Sequence, residues 1–121
     1  MGNLARLSRL LAEIQQCLRI APNGLTVSSG FRGPELNHKV GGVAHSQHCM
    51  GLAADVLAPS FGAPYALALA IAQSPIEFDQ LILEYNRWVH VSAPPSEQAA
   101  RREVLSIFSQ TEGYLEGIVS R

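Results

Sequence analysis

At 121 residues and 47% hydrophobic content, the chain has the size of one domain and enough apolar material for one ordinary core, so a single domain spanning 1–121 is expected. Nine basic and ten acidic residues give a net charge of −1 and leave no basic patch of the kind a nucleic-acid partner requires. Arg6, Arg9 and Glu13 interrupt the leucine-rich start, which argues against both a signal-peptide core and a membrane span, and two cysteines, Cys17 and Cys49, are too few for a disulfide scaffold.

Leu4, Leu7, Leu11, Ile14 and Leu18 recur at steps of three and four, the period of an amphipathic helix with one buried face. Cys17 lies along that stripe and is expected to be a buried thiol. The breakers Ala21-Pro22-Asn23-Gly24 are expected to end the helix. LTVSS (25–29) is short, β-branched and alternating, and reads as a strand. Pro34 suits the first turn of a short helix over 35–40, and GGVAHSQH then reads as a loop. LAADVL (52–57) predicts a strand with Leu52, Ala54 and Val56 on one face and Ala53 and Asp55 on the other. A second helix follows Pro64 and runs to about Ser74. FDQLILEYNRWVHVSA reads as a β-hairpin, its two apolar runs turning at Tyr85-Asn86-Arg87. Beyond Pro94-Pro95, residues 101–109 read as a further strand and 112–119 as a helical turn.

Catalytic zinc takes three protein ligands drawn from imidazole and carboxylate, leaving a position for water. His48, Asp55 and His90 can supply that set. Asp55 and His90 both alternate with apolar neighbours and so point away from the face those neighbours bury. Taken singly, Asp55 also reads as a solvated carboxylate and His90 as a surface imidazole, and spacing alone does not choose. Glu84, six residues before His90, is the candidate general base, with a strand-end carboxylate in water as the plain alternative. An odd-numbered hairpin loop, centred on Arg87, places Glu84 on the face of His90, opposite it; a two-residue loop pairs Glu84 with Val89 instead. The odd loop is expected. Arg32 follows a strand and a glycine, and its guanidinium suits a carboxylate or an oxyanion, as well as an ordinary surface role.

Together, SGFRGPELN, SQHCMGLAAD and LEYNRWVHVS, in that order, resemble the zinc D-Ala-D-Ala carboxypeptidase and phage endolysin peptidase family, whose zinc fold is shared by the hedgehog signalling domain. The resemblance runs from about Asn3 to at least Ser92. It rests on Ser-x-His-x-x-Gly-x-Ala-x-Asp followed by Trp-x-His. It implies Zn2+ held by His48, Asp55 and His90, Glu84 as general base at the hedgehog-like spacing, and Arg32 and Ser46 in contact with the substrate. The implied fold is a small α+β domain, an antiparallel sheet with helices packed on one side. Arg87 stands where many members carry a glutamate, Gly33 where serine is common, and Phe31 where tyrosine is common.

The rival cluster His45, His48 and Cys49 has metal-binding spacing but leaves out Asp55 and His90 and provides no base. His38 falls on the short polar helix and reads as solvated. Trp88 shares the strand face of His90 and reads either as a wall of the substrate cleft or as a core or rim aromatic. The resemblance thus implies a zinc peptidase cleaving peptidoglycan stem peptides or cross-bridges, as a D-Ala-D-Ala carboxypeptidase or an endolysin-type endopeptidase. The alternative is a catalytically silent zinc domain that binds peptide or serves as a phage structural component. A monomer without nucleic-acid or membrane partners is expected, made in the cytoplasm without a signal peptide and delivered to the cell wall by phage-type lysis or tail machinery.

Overall fold

A computed structural model describes residues 2–29, 52–94 and 100–121. The calls on 30–51, among them the short helix, the polar loop, Arg32, His38, His45, Ser46, His48 and Cys49, lie outside the described residues.

Helix α1 spans Asn3–Cys17 and buries Leu7, Leu10 and Ile14. Leu4, at the start of the predicted stripe, is 62% exposed, and Leu11 and Leu18 are only partly buried against the core. The helix stops before the Ala21–Gly24 breakers. Arg19 adopts a left-handed φ of 56°, its N–H bonds to Gln16 O, and Ile20 N–H reaches back to Gln15 O. This is the paired-bond cap that glycine ordinarily supplies, closed by Ile20 packing on the core. The expectation for Cys17 is corrected. It sits at the rim of the buried face, and although Leu18 and Ile20 beyond it still touch the core, its thiol is exposed on a shallow groove lined by Glu13, Gln16, Pro75 and Ile76.

Among the described residues, six strands flank the second helix: β1 (Thr26–Ser29), β2 (Ala53–Leu57), β3 (Gln80–Glu84), β4 (Trp88–Ser92), β5 (Glu103–Ile107) and β6 (Tyr114–Glu116), with α2 over Pro64–Gln73. Pro64 opens α2 in the first turn, where its missing N–H costs nothing. The sheet order is β1-β2-β4-β3-β5-β6. The architecture is α+β, but the expected antiparallel sheet is mixed: β5 runs parallel to β3, and the other pairs are antiparallel. The segment read as a helical turn at 112–119 instead contains β6, paired with β5 and bounded by Gly113 (φ 79°) and Gly117 (φ 82°). Those left-handed glycines let the chain turn into and out of a three-residue strand at little steric cost.

The alternation predicted for residues 52–57 is realised. Leu52, Ala54 and Val56 join Leu81, Leu83, Val89 and Val91 in one hydrophobic core with Leu7, Leu10 and Ile14 of α1 and Leu67, Ala68 and Ile71 of α2. The two described helices share this core, on one side of the sheet. No described helix is long and apolar enough to cross a membrane. Ala53, Asp55, Ile82, Glu84, His90 and Ser92 belong to the opposite face, and they too are buried. Polar groups set into that second face must therefore find partners within the protein.

Candidate metal centre

Register brings the second-face residues together. Asp55 on β2 lies directly across from His90 on the central strand β4, and His90 lies across from Ile82 on β3. Glu84 pairs with Trp88, two residues along, which makes it the diagonal neighbour of His90 on the same face. The hairpin loop has three residues, Tyr85 to Arg87, so the odd loop is present. Its centre is Asn86, however, one residue before the expected Arg87, and Glu84 therefore stands opposite Trp88 instead of His90. Sidedness survives this shift because a displacement of two along a strand preserves the face.

The turn that fixes the register is itself held. Tyr85 and Asn86 have φ of 58° and 57°, a conformation costly for tyrosine and better tolerated by asparagine. Tyr85 N–H donates to Ile107 O at 2.7 Å and Arg87 N–H to Glu84 O at 3.0 Å, while the Asn86 side-chain amide donates to Arg121 O at 2.9 Å. On the far side of the site, a register irregularity in β1 lets the Ser28 hydroxyl donate to the main-chain oxygen of Asp55 at 3.1 Å.

Asp55, Glu84 and His90 offer ligand atoms within 4.8 Å of one another, and they are the acidic and imidazole group so clustered among the described residues. Their exposures are 3%, 6% and 1%. His90 Nδ1 lies 3.4 Å from Asp55 Oδ1. Trp88 Nε1 donates to Glu84 Oε1 at 2.6 Å, fixing one carboxylate oxygen. The plain readings of Asp55, His90 and Glu84 as solvated side chains do not describe these buried positions.

Two carboxylates and an imidazole this close, away from water, make a poor environment for one another and a good one for a divalent cation. The donor set of oxygen and nitrogen suits zinc, whose tetrahedral sites are built from such ligands. The residues present fit the group. The indole–carboxylate bond goes beyond the expectation for Trp88, a cleft wall or a core or rim aromatic. The signal was available: a tryptophan four residues after a glutamate, across a three-residue turn, faces it directly.

A family model described as Peptidase M15 matches residues 3–92, well over half of the chain. Peptidases of this family are zinc-dependent. No curated protein and no solved structure matches the chain.

Proposed function

The chain belongs to the peptidase M15 family, and from that membership we propose that it is a zinc peptidase cleaving peptide bonds in peptidoglycan, either the terminal D-Ala-D-Ala bond or a bond of the stem peptide or cross-bridge. The observation that carries the reading is the buried Asp55–Glu84–His90 cluster, assembled from three separate strands on the face opposite the helices. The hedgehog-type form of the zinc fold is part of the same proposal.

In this reading His48, Asp55 and His90 hold the metal, and Glu84, set beside Asp55 and His90, is the base. Bound zinc would supply acidification of water and polarisation of the scissile carbonyl. Glu84 takes the proton of the attacking water and delivers it to the leaving amine, a transfer that requires its carboxylate within hydrogen-bond reach of both. Arg32 pairs with a substrate carboxylate or with the developing oxyanion, and Ser46 contacts the substrate. Delivery to the wall by phage-type lysis or tail machinery belongs to the same proposal.

The test is incubation of zinc-loaded protein with purified muropeptides, with fragments identified by mass. Fragment release is expected from the native chain, falling by about 10²–10⁴-fold in Glu84→Gln while zinc content stays unchanged. Zinc-loaded native protein that releases no fragment would favour the silent, peptide-binding alternative.

A further inference from the structure

We propose that Trp88 is the positioning residue of Glu84: its indole N–H anchors one carboxylate oxygen and thereby sets the direction in which the other faces the Asp55–His90 pair. The proposal rests on the reading of Glu84 as the general base. Glutamate has three side-chain torsions, so a base at a strand end samples many directions unless something holds it. Here the 2.6 Å bond from Nε1 to Oε1 holds it. A carboxyl group with one oxygen anchored keeps its second oxygen for a further partner.

The donor is fixed as well as the acceptor. Trp88 opens β4 and pairs directly with Glu84 of β3, which holds its backbone beside the carboxylate that it binds. Its ring meets Tyr85 with centroids 5.8 Å apart and planes tilted by 58°. The Tyr85 hydroxyl in turn accepts a hydrogen bond from Gln110, whose segment lies beyond β5. A side chain that only walled a cleft or filled a rim would need its rings, not its N–H. Phenylalanine would then serve equally, and this separates the two roles.

Zinc-loaded Trp88→Phe, compared with the native chain on a muropeptide, is expected to show kcat reduced about 10–100-fold, the scale of a catalytic group displaced by about 1 Å. KM should stay within about twofold and zinc content should not change, since neither substrate contact nor metal ligand is removed. A kcat equal to that of the native chain would overturn the proposal. A second measurement does not require turnover. Trp88 is the sole tryptophan, so a ¹H–¹⁵N correlation spectrum shows one indole N–H signal from the chain. In Glu84→Ala that signal should move upfield and its proton exchange faster with solvent, with Glu84→Gln intermediate because the amide oxygen still accepts. An indole signal indifferent to both substitutions would sink the proposal even if Trp88→Phe were slow. If the native chain cleaves nothing, the peptidase reading fails by itself, and the indole signal still decides whether Trp88 holds Glu84. Should Trp88→Phe fail to fold, the Glu84 variants, which keep the tryptophan, decide the matter.

Discussion

Replacing His90 by alanine removes an imidazole that is 1% exposed and faces Asp55 at 3.4 Å. On the proposed assignment it deletes a direct zinc ligand. Loss of a group that merely orients a ligand already weakens metal affinity by about 10–100-fold, so a larger loss is expected here. Elemental analysis of the purified variant should find zinc well below one equivalent, and full zinc occupancy in His90→Ala would remove His90 from the ligand set. Alternation alone put Asp55 and His90 on the face away from Val56, Val89 and Val91, and that sidedness was readable because the period of a strand is two. Their burial was not. A polar residue on the second face of a strand looks solvated until something covers that face, and what covers it is set by tertiary packing rather than by the local pattern. Cys17 shows the reverse error: the stripe predicts burial, but the residue lies at the rim of the buried face and is exposed.

Among the elements, the parallel joint between β3 and β5 is secured at one end by charge. Both oxygens of the buried Asp79 carboxylate accept from Arg101, Nε to Oδ1 and Nη2 to Oδ2, each at 2.7 Å, and Gln80 donates to Glu103 at 2.7 Å in the paired register position. The hydrogen bonds that Arg101 donates to Asp79 hold its guanidinium above its ordinary pKa, against the opposing effect of partial burial. Arg101→Ala leaves Asp79 without this fork. Because the arginine is 57% exposed, the cost is placed at about 1–3 kcal/mol, the range of hydrogen bonds to charged groups, rather than at that of a fully buried pair. Urea unfolding should show the loss, with Arg101→Lys recovering only part of it, since an ammonium cannot donate two parallel bonds. An unaffected midpoint in Arg101→Ala would show that the fork contributes nothing net. The hairpin, β2, α2 and β5 were all legible from periodicity and punctuation. The parallel pairing was not, because it joins segments separated by β4 and the ten residues 93–102, and no short-range pattern encodes it. For β6 the same holds: three residues between glycines become a strand only because β5 offers an edge.

At the level of the whole molecule, the sheet divides the labour between its faces. The helix side closes one apolar core from Leu7 to Ala93. The opposite side carries Asp55, Glu84 and His90 below the surface. Folding therefore draws its stability from the first face, while the second is a liability that a cation would offset. The chain should remain folded without metal, unlike small domains whose only core is a zinc site. Binding to the folded state alone adds RT ln(1 + [L]/Kd), about 2.7 kcal/mol at a hundredfold excess over Kd, which for a domain of this length corresponds to a shift in Tm of about 10 °C. Calorimetry with and without a chelator should show a single transition that moves down by that amount yet stays cooperative, and the chelator should have no effect on His90→Ala. A native transition that ignores the chelator would mean that no stabilising cation occupies the second face. Complete unfolding on chelation would mean that the apolar face does not carry the fold by itself.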